Sequence, residues 1–280
     1  MADVIVTRRG GIAVVSLNRP DKFNALRMSM WEELVVAGEA LGRDRNVRAV
    51  VLRGEGSSFS TGMDTSTFEE MRTTRSITVD ETASTRLGRL RDPVLREPGR
   101  ITNLAQQSAY VWTELPQPVI CAIRGYALGA GLQVALGADI RIVSPDAKLG
   151  LLEINWGMVP DTGGTASLVR LVGADVAKEL IWTARRVDGV EAVRLGLATR
   201  VAEDPDVAAM SLAAEIAKRS PDAIRAGKRL IREAQETGYA PAFLAESHAL
   251  AALAGSPNQL EAVAAAVERR TAEFIDSVEE

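Results

Sequence analysis

Val119–Ser144, VICAIRGYALGAGLQVALGADIRIVS, decides the fold. A short apolar run rich in β-branched residues leads into Gly125, a glycine-rich turn follows, and Leu132, Gln133, Val134, Ala135 and Leu136 open a helix ahead of a second run, DIRIVS. Unpaired backbone N–H groups at such a helix start face incoming negative charge, helped by the helix macrodipole, so the turn suits an oxyanion. Spacing alone favours a plainer reading, in which the glycines simply permit close packing. The dinucleotide fingerprint fails because Val134 stands where its third glycine belongs, and no Gly-Lys-Ser/Thr exists for a phosphate loop.

Outward from this stretch, VIVTRR and IAVVSL flank Gly10 and Gly11 with the length and composition of a hairpin. A helix is expected from about Ser29 to Leu41, then strands at VRAVVLRG, VICAIRG, DIRIVS and ATRVA. Strands alternating with helices imply an α/β layered core. From Asp204 onward, four helical patterns punctuated by Pro and Gly replace the strands. The expected organisation is a core over residues 1–203 and a helical C-terminal subdomain over 204–280. Between Asp64 and Trp112 there is no convincing strand, and Arg72, Arg75, Arg86, Arg89, Arg91, Arg96 and Arg100 accumulate. Such an insert is either functional, folding over the pocket to set substrate size, or a solvated helical face whose arginines meet nearby acids.

Composition narrows the chemistry. The 280 residues are 46% hydrophobic and 25% charged, with a formal charge of −4, so neither a disordered chain nor a nucleic-acid binder is expected. Cys121 stands alone inside VICAI and reads as a core residue, and His248 reads as a partly exposed helical residue. Triad hydrolysis and His/Cys zinc sites lack material, so no metal site is expected. No window approaches a membrane span and the N-terminus reads as neither signal nor transit peptide, so a soluble cytoplasmic protein is expected.

Two further stretches could carry chemistry. In SSFSTGMDTS, Gly62 can supply a strained geometry that aims the Met63 N–H outward, although alone this is an ordinary strand exit. In KLGLLEINWGMVPDTGG, Glu153 lies among Leu151, Leu152, Ile154 and Trp156, where desolvation would raise its pKa toward a useful range. Asp161 precedes a double glycine and a helix, a setting in which an N-terminal cap is the commoner role.

Together NRPDKFNAL (Asn18–Leu26), FSTGMD (Phe59–Asp64), PQPVICAIRGYALGAGLQVALGADIRIVS and VPDTGGTASLVRLVG resemble the crotonase superfamily, the enoyl-CoA hydratase/isomerase family, in order and spacing over nearly the whole chain. The resemblance implies a spiral of β-β-α repeats followed by helices that trimerise, often with trimers paired into hexamers. It implies an acyl-CoA thioester substrate and no cofactor beyond that CoA. By position, the N–H groups of Met63 and Ala130 form the oxyanion hole, and Lys22, Ala25, Ser60, Gly62, Asp64 and Gly129 hold substrate or CoA. Family hydratases carry two glutamates around a water; here those positions hold Gln133 and Glu153. Glutamine orients water but exchanges no proton near neutral pH. Asp161, eight residues after Glu153, resembles the arrangement in dienoyl-CoA isomerases, although a third acid of those enzymes falls at Gln133. Double-bond isomerisation is therefore expected. Hydration by Glu153 alone, and an acyl-CoA-binding homologue without turnover, are the alternatives.

Overall fold

The computed structural model describes residues 2–67, 96 and 99–276. Most of the arginine-bearing insert, and with it the expected cover over the acyl end of the pocket, lies outside the described residues.

Strands β1 (Val4–Arg9) and β2 (Ile12–Leu17) form the expected hairpin, with Val4 opposite Leu17 and Arg9 opposite Ile12. Helix α1 (Met28–Arg43) buries Met30, Trp31, Leu34, Val35 and Leu41, a helical-period stripe. It leads to β3 (Ala49–Gly54). Helix α2 (Leu104–Glu114) begins at Asn103, whose side chain accepts from the Gln106 N–H while the Gln106 side chain accepts from Asn103 N–H. Then follow β4 (Val119–Ile123), β5 (Tyr126–Leu128), α3 (Ala130–Leu136), β6 (Ile140–Val143) and β7 (Lys148–Gly150). A 3-10 turn (Glu153–Trp156) precedes α4 (Gly164–Val172), α5 (Ala174–Thr183), β8 (Val187–Asp188), α6 (Gly189–Leu195) and β9 (Arg200–Val201). Helices α7 (Pro205–Ala217), α8 (Pro221–Glu236), α9 (Tyr239–Leu253) and α10 (Pro257–Glu268) complete the chain.

The strands form two sheets, ordered β1-β2-β3-β4-β6-β9 and β5-β7-β8. Only β1 is antiparallel in the first, and only β8 in the second. The chain steps from one sheet to the other in each repeat: β4 to β5, then β6 to β7. Ser60, just after β3, bridges Ala127 of β5 and so extends the second sheet by the same step. This is the expected spiral of β-β-α repeats. The sequence reading missed β5, β7 and β8 because each is too short to show a periodicity of its own.

The inner strands β2, β3, β4 and β6 of the main sheet are buried on both faces, which explains why they read as continuous apolar runs, while the edge strands β1 and β9 are largely exposed. Val119, Cys121 and Ile123 of β4 join one core with α1, α2 and α3, while Ile120 and Ala122 turn to a second core with Ala209 and Ala213 of α7. Helix α7 therefore covers the sheet although it falls inside the expected C-terminal subdomain. Beyond it, α8 and α9 pack on one another. Arg48, at the entry to β3, donates to the carbonyls of Ala217 and Phe274 and pairs with Asp276, tying the chain's end back to the core. Cys121 is fully buried and burial pushes its thiol up, while His248 is exposed on α9. Among the described residues, no helix is long and apolar enough to cross a membrane.

Successive repeats touch backbone to backbone at the corner after β4. Gly125 adopts φ +56°, and a Cβ there would stand 2.2 Å from the Ser57 carbonyl oxygen of the preceding repeat. Gly125→Ala should therefore lower unfolding free energy by about 2 kcal/mol or more, from backbone strain plus the forced shift. A urea titration checks this, with the midpoint falling and the slope kept.

Candidate active site

The site assembles where three stacked repeats meet. The turn after β3 carries Ser60, Gly62, Met63 and Asp64, the turn after β5 carries Gly129 and Ala130, and the 3-10 turn after β7 carries Glu153. Leu26 N–H donates to the Gly62 carbonyl and Asp64 N–H to the Leu26 carbonyl, drawing NRPDKFNAL onto the first of these turns.

Gly62 has φ +88°, and a Cβ on it would lie 2.6 Å from Leu128 O and 3.4 Å from Ala130 N. The two turns expected to supply the oxyanion hole are thus in contact. Ala130 opens α3, so its N–H has no intrahelical acceptor, and among the described residues no protein acceptor is found for Ala130 N–H or Met63 N–H.

Several residues expected to bind the ligand also hydrogen-bond within and between the loops that carry them. Ser60 is fully buried, donates its hydroxyl to Asn24 O and accepts from Gly62 N–H. Asp64 pairs with Arg19 at 2.8 Å and accepts from the N–H and hydroxyl of Ser66. The Ser66 backbone donor, then Arg19, holds the Asp64 carboxyl below its usual range. Lys22 is exposed on the turn Pro20–Lys22, and its carbonyl accepts from Ala25 N–H.

Two residues here went unremarked in the sequence. Arg19 bridges Asp64 and the Ala25 carbonyl. Asn24, buried with φ +55°, accepts from Arg19 N–H and donates to the carbonyls of Glu55 and Ser58. An asparagine in a Pro/Asp-rich turn is a recognisable signal for left-handed backbone.

The acid side of the site is built around Gln133, which projects from the wholly buried α3. Its Nε2 donates to Glu153 Oε1 at 2.6 Å, while its Oε1 accepts from Thr162 N–H at 2.8 Å and Gly164 N–H at 3.1 Å. Glu153 is 9% exposed, and its Oε2 is buried without a protein partner among the described residues. Burial raises the Glu153 pKa, the Asp161 charge adds to this, and the Gln133 hydrogen bond partly opposes it.

Asp161 is surface-exposed as a residue, yet protein crowds its carboxyl, and that desolvation moves it upward too. It does not cap α4: Gly163 occupies the cap position without a side-chain bond, and Asp161 Oδ1 instead accepts from the Thr162 hydroxyl at 3.3 Å. Gly129 keeps the floor open, since a Cβ there would come within 3.3 Å of Glu153 Oε1. A cavity of about 460 Å³ lies elsewhere, lined by Glu114, Arg225, Lys228 and Leu253 among others, and contains none of these groups.

Two apposed N–H donors beside a desolvated carboxylate can hold a developing oxyanion while a proton moves nearby. The family model described as enoyl-CoA hydratase/isomerase matches residues 12–279. The short-chain-enoyl-CoA hydratase of Clostridium acetobutylicum is 34% identical over 275 residues, covering 97% of each chain. The 2,3-dehydroadipyl-CoA hydratase of Escherichia coli is 28% identical over 279 residues, covering 98% of this chain and 99% of that one. The crystal structure of enoyl-CoA hydratase from Bacillus anthracis superposes with a TM-score of 0.83 at 30% identity, covering 98% of this chain and 99% of that one. The chain belongs to the enoyl-CoA hydratase/isomerase family of the crotonase superfamily, and is an enzyme of that class.

The raised Glu153 pKa has a stability consequence. Below the ordinary carboxyl range the group is protonated both folded and unfolded; as pH rises, the unfolded chain releases the proton first, so ionisation opposes folding up to the folded pKa. Glu153→Gln should melt at higher temperature than the parent at neutral pH. Calorimetry across pH should show the gap closing as pH falls through the ordinary carboxyl range.

Proposed function

We propose that the protein acts on an unsaturated acyl-CoA thioester through an enolate, and that it moves the double bond rather than adding water. The observation that carries this reading is the amide of Gln133 lying between Glu153 and the start of α4. A position that would complete a water-activating pair holds no acid, and Asp161 supplies a second carboxyl further along the same loop.

Removing a proton next to a thioester places charge on the carbonyl oxygen, where the Met63 and Ala130 N–H groups stabilise it. One such donor is typically worth about 3 kcal/mol in the transition state. Glu153 and Asp161 then divide removal and delivery of the proton at two carbons. The reaction so described uses no resident cofactor, CoA being part of the substrate. Hydration through Glu153 alone is the second reading, favoured by the hydratase names of the relatives. Glu153→Gln and Asp161→Asn should each cut turnover by about a hundredfold or more with acyl-CoA affinity kept. Parallel assays with crotonyl-CoA and a non-conjugated enoyl-CoA decide the order. Vigorous hydration without bond migration would reverse it, and absence of solvent-deuterium exchange at the α-carbon across acyl chains would indicate a binding homologue.

We also propose a cytoplasmic homo-oligomer, trimer or hexamer, assembled through the C-terminal helices. Tyr239, Phe243, Leu244 and Leu250 of α9 and Val263 and Val267 of α10 are all more than half exposed in the single chain, and burying exposed apolar side chains of this kind is what favours association. Sedimentation velocity should show no monomer at micromolar concentration.

A further inference from the structure

The two ends of the Gln133 amide cannot be exchanged. Thr162 N–H and Gly164 N–H can only donate, so the atom facing them is the amide oxygen and the atom facing Glu153 is the amide nitrogen. Glu153 Oε1 is therefore always an acceptor. A proton carried by Glu153 is favoured on Oε2, the atom with no protein partner among the described residues, because the carbonyl-like oxygen is the better acceptor for the amide N–H.

The amide also reaches the second acid. Thr162, whose N–H it holds, is fully buried and follows Asp161 directly, and its hydroxyl donates to Asp161 Oδ1. The fit leaves no slack, because a Cβ on Gly164 would stand 2.4 Å from Gln133 Cγ.

We propose that Gln133 is a positioning residue that ties Glu153 to the amino end of α4, confines proton transfer by Glu153 to Oε2, and isolates that carboxyl from a second acid at position 133. The proposal rests on the reading of Glu153 as the proton-transfer group. A glutamate here would satisfy the same two N–H donors but would set a second carboxylate against Glu153 Oε1, and two carboxylates at such a distance share one proton. With glutamine, no second carboxyl faces Glu153 Oε1 from position 133. The charged group of the described residues whose field reaches it is Asp161. Helix α5, which packs against the 3-10 turn, turns Asp175, Lys178 and Glu179 to solvent, and Glu179 pairs with Arg185.

The test is an infrared difference titration, with Glu153→Gln as the reference that isolates the Glu153 carboxyl band, applied to the parent, Gln133→Met and Gln133→Glu. The parent should show one protonation step. Gln133→Met removes the hydrogen bond to Oε1, so the step should move to higher pH. Gln133→Glu keeps acceptors for Thr162 and Gly164 N–H, and should split it into two steps, the upper one above the parent's. In turnover of an enoyl-CoA, Gln133→Met should lose about a hundredfold in kcat with KM little changed, the cost of a misplaced reacting group.

Identical titrations in all three proteins would overturn the proposal, as would a Gln133→Met protein with parental kcat. If Gln133→Met does not fold, Gln133→Glu decides alone, since a single unshifted step there is incompatible with the assignment. Absence of any acyl-CoA turnover in the parent would defeat the functional reading instead, and the titrations would still decide the hydrogen-bond assignment.

Discussion

The spacing between successive repeats of the spiral governs everything else in this molecule. It is set by main chain against main chain, with no side chain between: a Cβ on Gly125 would meet Ser57 O at 2.2 Å, one on Gly137 would meet Ala109 O at 2.0 Å, and one on Gly189 would meet Ser144 O at 2.0 Å. At that separation, polar backbone groups on facing turns either pair or are left over. Ser60 and Leu128 pair. Among the described residues, the N–H groups of Met63 and Ala130, three residues beyond the Ser60–Ala127 bridge on each chain segment, find no such partner, so the turns that the packing rule brings into contact also carry the free donors on which the proposed enolate chemistry relies.

Burying Glu153 beside those donors costs stability, and the local hydrogen bonds show how the cost is contained. Among the described residues no cation pairs with the carboxyl. Local backbone donors and the Gln133 amide N–H orient it and offset its desolvation only in part. Asp64 shows the opposite choice. Two donors from Ser66 and the Arg19 guanidinium hold its carboxyl below the usual range and tie it into the loop. The two carboxylates thus lie in opposite environments, and those environments push their proton affinities apart.

Legibility from sequence followed the length scale of each signal. The long apolar runs of β2, β3, β4 and β6 and the periodic helices were readable because burial on two faces, or on one stripe, writes a pattern over many residues. Strands β5, β7 and β8 were not, since two or three residues carry no period. Glu153 stood out by its apolar neighbours, whereas pairing Met63 with Ala130 came from the resemblance, which spacing could not replace, because a glycine-rich turn before a helix has a plainer packing explanation. The fate of Asp161 was undecidable from sequence: whether an acid before a double glycine caps the helix depends on one backbone turn, and here Gly163 takes the cap. Arg19 and Asn24 were quoted within a motif yet given no task, because their partners, Asp64, Glu55 and Ser58, lie on the next repeat.

That last point separates affinity from chemistry in the architecture. NRPDKFNAL and the turn after β3 are joined by Arg19, Asn24 and three main-chain bonds, so anything that moves Lys22 or Ala25 also moves Met63. Gln133, Glu153 and the start of α4 form a second unit, joined internally by an amide, in which the acids move together. The turn after β3 meets β5 and the start of α3 through the hydrogen bonds Ser60 makes to Tyr126 and Leu128, where Gly62 abuts Leu128 and Ala130, and where Gly131 lies against Ser60. The two units are thus separable: a substitution within the first leaves the hydrogen bonds joining Gln133, Glu153 and the start of α4 in place, whereas one within the second changes the surroundings of Glu153 and leaves the Arg19–Asp64 pair untouched.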